Sequence, residues 1–203
     1  AILVDMDTDY VMYDLNAHEK MYPASITKVM TAALTLDAVS EGKLSLDEMI
    51  TAGPTAWQGL DTSSSNQNIQ VSEQMSVKDL LYCLMVASAN EAANILAVAV
   101  AGSIDNFVAM MNAKAAELGC TGTHFVNPDG MPDNDHYTTA YDLYLIGKYA
   151  MQNETFRTIV KTPEYYVEPT NMNGNRRHFF NTNGLLSNKK YAGYYYENCI
   201  GIK

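Results

Sequence analysis

Cysteine is scarce in this sequence: Cys83, Cys120 and Cys199 are the three among 203 residues. None forms a C-x-x-C pair, and an odd number cannot close a disulfide framework, so buried thiols are expected. Histidine is scarce as well. His18, His124, His136 and His178 are scattered, with no H-E-x-x-H. Asp129, Asp133 and Asp135 cluster, but the glycine falls in the wrong place for an EF-hand loop, which leaves a turn rich in Asp and Pro. No Gly-rich phosphate loop is present. Basic residues are few: 13 Lys+Arg against 23 Asp+Glu, a net charge of -10. Binding to nucleic acid or to an anionic membrane needs clustered Lys and Arg, so both are disfavoured. No apolar run approaches the roughly 18 residues that cross a bilayer. Ala1-Ile2-Leu3-Val4-Asp5 begins as a strand, without a basic segment and a long apolar stretch. The expectation is either a cytoplasmic chain or one whose leader has been removed.

What is present is ordinary globular material, 47% hydrophobic and 18% charged. Its length suits one domain or two intergrown subdomains, able to bury roughly 70% of the surface exposed on unfolding. The acid is uneven: 13 acidic and 4 basic side chains up to residue 100, then 10 and 9. A solvated acidic face accounts for it. Ile2-Leu3-Val4 and Tyr10-Val11-Met12-Tyr13 flank Asp7-Thr8-Asp9, a hairpin pattern. The spacing of Val29, Ala32, Ala33, Leu36 and Val39 predicts a helix over 25–40, preceded by Pro23 and stopped by Gly42. Ser76-x-x-Asp79 opens a second helix. Residues 91–101 are Ala-rich and apolar, which suits a buried one. Ser103 caps a helix ending at Gly119, and Thr139-x-x-Asp142 opens another to about Met151. Tyr165-Tyr166-Val167 and Arg177-His178-Phe179-Phe180 flank a turn containing Asn173-Gly174, and 199–203 reads as a final strand. Strands at both ends and helices between predict one sheet with the helical block packed on it.

Ser-x-x-Lys occurs three times, at Ser25/Lys28, Ser40/Lys43 and Ser187/Lys190. Chance supplies about half of one from this composition. Ser40 and Lys43 straddle Gly42, and Ser187 lies in a polar turn. Only Ser25 stands at the start of an apolar helix, where Lys28 shares its face. Free N–H groups and the positive dipole end there can stabilise an oxyanion. An ordinary lysine is protonated at neutral pH, but burial can lower its pKa until it accepts the serine proton. The plainer alternative is a helix cap beside a surface charge. Ser-x-Asn occurs at Ser64/Asn66, in a polar loop, and at Ser88/Asn90, between two apolar helices. Polar groups held there need partners or a purpose, though a locally capped turn would also serve.

Together these residues resemble the low-molecular-weight penicillin-binding proteins, the serine D-alanyl-D-alanine carboxypeptidases. The resemblance rests on Tyr22-Pro23-Ala24-Ser25-Ile26-Thr27-Lys28, on Val86-Ala87-Ser88-Ala89-Asn90-Glu91, on Thr123-His124-Phe125 with Asn127-Pro128-Asp129-Gly130, and on Asn181-Thr182-Asn183-Gly184. It covers nearly the whole chain. The family's third motif is Lys-Thr-Gly. Gly201-Ile202-Lys203 supplies its Lys, with no Thr-Gly after it. The resemblance implies an α+β, transpeptidase-like domain over 1–203, stopped at that motif. Its antiparallel sheet is drawn from 1–56 and 160–203, with 57–159 mainly helical. It implies Ser25 as nucleophile, Lys28 as general base and Ser88 as proton relay. Asn90 would hold substrate or orient Lys28, and Lys203 would sit near the substrate carboxylate. No metal or cofactor is implied. The implied ligands are peptidoglycan stem peptides ending in D-Ala-D-Ala, and β-lactams. The implied place is the extracytoplasmic cell envelope, with a leader removed and membrane attachment only through a C-terminal anchor that this chain lacks. A class A β-lactamase fits poorly, since Ala89 replaces the Asp of Ser-Asp-Asn and no Glu-x-x-Leu-Asn occurs. A non-catalytic cell-wall-peptide or penicillin-binding module is the remaining alternative.

Overall fold

The computed structural model describes residues 1–61, 63–186 and 192–203; the Ser187-x-x-Lys190 motif lies outside the described residues. Among the described residues six helices enclose a core on which short hairpins sit. The central helix α1, Lys28–Ser40, has every residue from Lys28 to Leu36 buried. A helix apolar on all sides must be covered on all sides. Accordingly α2 (Val77–Met85), α3 (Asn90–Ala101), α4 (Ile104–Glu117), α5 (Ala140–Ala150) and α6 (Glu154–Val160) all touch it. Four of these helices start at a short polar side chain that caps them. The oxygens of Ser76, Ser103, Thr139 and Asn153 accept from Asp79, Asn106, Asp142 and Phe156 N–H. Each satisfies one of the N–H groups that a helix start leaves unpaired. Gly102, at φ +76°, breaks α3 from α4, and the two meet at 85°. Among the described residues no single helix is long and apolar enough to cross a membrane.

The α+β class expected from the sequence holds, but the strands differ from one joined sheet. Among the described residues they form three separate antiparallel ladders, each of two strands: β1 (Ile2–Asp5) with β2 (Tyr10–Asp14), β3 (Met49–Thr51) with β4 (Gln74–Ser76), and β5 (Glu164–Val167) with β6 (Arg177–Phe180). The first and third are the predicted hairpins; β3 and β4, three residues each, are too short to show a period. β2 is exposed along its length and, among the described residues, pairs with β1 alone, so no ladder there links the two ends of the chain. The strand expected at 199–203 is not formed either. Side-chain packing holds that segment: Ile202 packs against the core, and a Cβ on Gly201 would stand 2.8 Å from Val160 Cγ2. α6, seven residues long, also escaped the periodicity.

A buried ion pair fixes the β5–β6 hairpin to the helical block. Arg177 donates to both oxygens of the fully buried Glu73, at 2.8 and 3.0 Å, and Thr170 and Gln70 N also donate to that carboxylate. Burial alone would raise the Glu73 pKa, but these donors hold it below its ordinary value. A bidentate, fully satisfied pair of this kind gives geometric specificity more than net stability. Tyr165 stacks on Tyr82 of α2 at 3.6 Å and donates to Asp79 at 2.9 Å. Cys83 and Cys120 are buried and Cys199 half-buried, all free thiols. Burial pushes Cys120 up to about 12 and raises Cys83 strongly, so neither is a nucleophile near neutral pH.

Candidate active site

The expected helix over 25–40 begins as a tight 3-10 turn, Ala24–Thr27, before α1 takes over at Lys28. Ser25 is therefore inside a turn and caps nothing: its side chain accepts no backbone N–H. Ala24 has φ +48°, which turns the chain sharply into Ser25. The reason lies across the site. Gly130 is pressed against this turn so closely that a Cβ there would lie 1.9 Å from Ala24 O and 3.1 Å from Ser25 N. Gly130 itself sits at φ +92°, where only glycine is comfortable. Gly130→Ala is expected to destabilise the protein by about 3 kcal/mol, from overpacking and backbone strain together. Chemical denaturation checks this; an unchanged midpoint would mean that the contact is relaxed in solution.

Lys28 is fully buried at the first position of α1. Its Nζ donates to Ser25 Oγ at 3.3 Å and to the main-chain oxygen of Asp129 at 2.6 Å. Burial pushes the amine down to about 8, while Asp129 and Glu91 pull it upward. About a tenth of such amines is neutral at pH 7, against roughly one in three thousand for an ordinary lysine. Neighbouring Thr27 shares a hydrogen bond of 2.8 Å with His136 Nε2. His136 Nδ1 accepts from Val126 N at 3.1 Å, so the proton belongs on Nε2 and His136 is the donor to Thr27. Burial holds the ring neutral, its pKa down to about 4.

Ser88 and Asn90 lie at the turn from α2 into α3, with Ser88 at φ +61° and both nearly buried. The turn is pinned on two sides. Asn90 N donates to Ser65 O at 2.9 Å, and Thr182 N donates to Val86 O at 3.2 Å. Asn90 Nδ2 points to Met131 Sδ at 3.5 Å. In this structure the amine of Lys28 is held by Asp129 and Ser25, with no hydrogen bond to Ser88 or Asn90. Lys203 Nζ donates to the carbonyls of Leu84 and Met85 at 3.4 and 3.1 Å, at the negative end of α2. Burial first, and the nearby Lys28 charge second, bring Lys203 down to about 7. Ser25, Lys28 and Lys203 thus share one region, with the Ser88–Asn90 turn beside it across Met131.

Two residues that the sequence did not mark as site residues are buried beside Lys28. Glu91 is fully buried. Its Oε1 accepts from Gln67 N and Ile69 N at 2.6 and 3.3 Å, and Oε2 has no partner among the described residues. Burial raises its pKa. Asp129 is 3% exposed. Burial raises its pKa as well, against its hydrogen bond from Met131 N and the charge of Lys28. Asn127-Pro128-Asp129-Gly130 was read as a turn and as part of the family resemblance, without a site role for Asp129. Chemically, the region offers a half-buried hydroxyl, a partly neutral amine in contact with it, and a second cation nearby. Such a set can form and stabilise an acyl-serine.

A sequence profile described as D-alanyl-D-alanine carboxypeptidase matches residues 1–194. The chain is 34% identical over 194 residues to the D-alanyl-D-alanine carboxypeptidase DacF of Bacillus subtilis, covering 95% of this chain and 48% of that protein. Among solved structures, penicillin binding protein 5 from Haemophilus influenzae superposes with a TM-score of 0.82 at 31% identity, covering 91% of this chain and 52% of that one. The Streptomyces K15 DD-transpeptidase gives a TM-score of 0.86 at 31% identity, covering 100% of this chain and 77% of that one. The chain spans about half the length of the curated relatives it matches.

Proposed function

Because this chain belongs to the D-alanyl-D-alanine carboxypeptidase family, we propose that it carries the serine chemistry of a D-Ala-D-Ala carboxypeptidase. Its α+β fold is that of the penicillin-binding proteins and DD-transpeptidases. The observation that supports the chemistry most directly is the fully buried Lys28 amine, lowered to about 8 and donating to Ser25 Oγ at 3.3 Å.

Ser25 Oγ attacks the carbonyl carbon of the peptide bond between the two terminal D-alanines of a stem peptide. As the O–C bond forms, the hydroxyl proton passes to neutral Lys28. Ser88, at the turn between α2 and α3, relays that proton: it gives its hydroxyl proton to the departing amine as the C–N bond breaks and takes one back from the Lys28 ammonium, so the amine is again neutral when D-alanine leaves. Asn90 holds the substrate backbone. Lys203 faces the terminal carboxylate. The Ser25 N–H supplies one oxyanion donor, in keeping with the unpaired N–H groups of a helical start. Water then hydrolyses the acyl-enzyme. A β-lactam acylates the same oxygen by opening its ring amide. Such a substrate lies in the cell envelope, so the protein works outside the cytoplasm.

The test is incubation of the protein with a fluorescent penicillin and, separately, with a peptide ending in D-Ala-D-Ala. Covalent labelling and release of one D-alanine per peptide are expected. Labelling without release would remove turnover and leave a penicillin-binding module. Absence of both labelling and release would sink the acyl-serine chemistry for this chain.

A further inference from the structure

Lys28 owes its position to a turn a hundred residues away. The carbonyl of Asp129 takes its shorter hydrogen bond, at 2.6 Å, and Ser25 Oγ the longer, at 3.3 Å. A neutral amine has two N–H groups and one lone pair. With one N–H committed to Asp129 O, the amine can turn only about that bond, and the lone pair can be brought onto the Ser25 hydroxyl. The carbonyl is itself fixed. Asn127 Oδ1 accepts from Gly130 N at 2.7 Å, and Asn127 Nδ2 donates to Met131 O at 2.9 Å. Asp129 Oδ1 accepts from Met131 N at 2.7 Å. Thr31, on the same face of α1, donates to Pro128 O at 2.6 Å. Two successive carbonyls of the turn are thus bound to two successive positions on one helix face.

The Asp129 side chain is buried within electrostatic reach of the same amine. The other charged groups that face Lys28 are Glu91 from α3 and Lys203 from the C-terminal segment, one of each sign. Glu91 is already engaged through Oε1 by Gln67 N and Ile69 N. Asp129 is the carboxyl whose own main chain also holds the amine.

The geometry points to Asp129 as a positioning residue for the Ser25–Lys28 proton transfer: its carbonyl aims the amine, and its carboxylate offsets the ammonium that the transfer creates. This rests on Lys28 being the base of the proposed reaction. In that step the Ser25 O–H bond breaks, its proton joins the Lys28 lone pair, and the oxygen's electrons form the bond to the acyl carbon. One positive charge appears at Nζ, beside Asp129.

Asp129→Asn keeps the shape and removes the charge. Asp129→Thr also removes the charge, with a smaller side chain whose hydroxyl can still accept from Met131 N. Two readouts are taken on each folded variant: the pH profile of acylation by a penicillin, and the titration of Lys28 followed by NMR of 13C-labelled lysine. The acid limb of the profile is expected to move about one unit to lower pH, with the plateau about tenfold lower, because the amine becomes a weaker base. The NMR midpoint should move with it. A uniform loss of rate with the limb unmoved, or an unmoved Lys28 midpoint, overturns the proposal, as does failure of both variants to fold. If the wild type is never acylated, the acyl-serine reading falls separately, and the Lys28 titration still decides the role of Asp129.

Discussion

Ser25→Ala is expected to yield a folded protein that takes up no penicillin and releases no D-alanine. Ser25 is the acceptor of only one of the two hydrogen bonds made by Lys28, and the stronger one to Asp129 O survives the change. Ser25 is also half-buried and caps no helix. Its removal should therefore cost less than about 1 kcal/mol of stability. The chemical loss is far larger, because among the described residues the amine's other partner is the Asp129 carbonyl, which has no proton to give and cannot act as a nucleophile. For a nucleophile that acts as part of a unit, a fall of at least about 10⁴ in turnover is expected. Intact-mass measurement decides it: the wild type gains the mass of the β-lactam and the variant does not. An adduct that persists in the variant would move the nucleophile elsewhere, with Ser88 the first place to look.

Replacing Lys28 should be nearly as severe. Lys28→Ala is expected to slow acylation by about 10³-fold, within the range that general-base catalysis supplies. Alanine leaves a cavity at a fully buried site, so Lys28→Met, closer in volume, is the companion variant for separating chemistry from stability. Two pH dependences follow from an amine lowered to about 8. The wild-type acylation rate should climb as pH rises through about 8 and level above it, while both variants should lack that limb. Stability has its own sign. The unfolded lysine titrates near 10.5, the folded one near 8, so between them the unfolded state binds more protons. The wild type should then gain stability as pH rises across that window, and Lys28→Met should not show this contribution. Below about pH 8 both states are charged and the burial penalty is present in full. Denaturant midpoints at pH 7 and pH 10 for both proteins test this; parallel changes would mean that the buried amine stays charged throughout. Acylation of Lys28→Ala at the wild-type rate would end its assignment as the base.

Local chemistry made much of this legible beforehand. Ser76, Ser103 and Thr139 announce helix starts because a short oxygen-bearing side chain before an apolar run has one obvious N–H to meet. Both long hairpins follow from turn formers between alternating segments, and the Ser25–Lys28 contact from their three-residue spacing. What was not legible depends on partners far along the chain. No local pattern near Asp129 says that its carbonyl will meet a lysine from another element. Nothing in the apolar run after Asn90 marks Glu91 as a carboxylate with one oxygen lacking a partner among the described residues. The joined sheet and the strand at 199–203 failed for a related reason: alternation predicts an extended chain, but a ladder also needs a neighbour in register, and local sequence does not specify one.

The two serines of the proposed reaction stand at left-handed backbone. Ala24, just before Ser25, has φ +48°, and Ser88 itself has φ +61°. A side chain in this region costs of order 1 kcal/mol or more, an expense that buried helices on either side can sustain. Glycine at position 24 would relieve it. It would also loosen the approach to the nucleophile, which Gly130 now wedges from the other side. Relief of backbone strain and a fixed nucleophile are therefore opposed at position 24: the change that relaxes the turn is the one that frees Ser25 to wander.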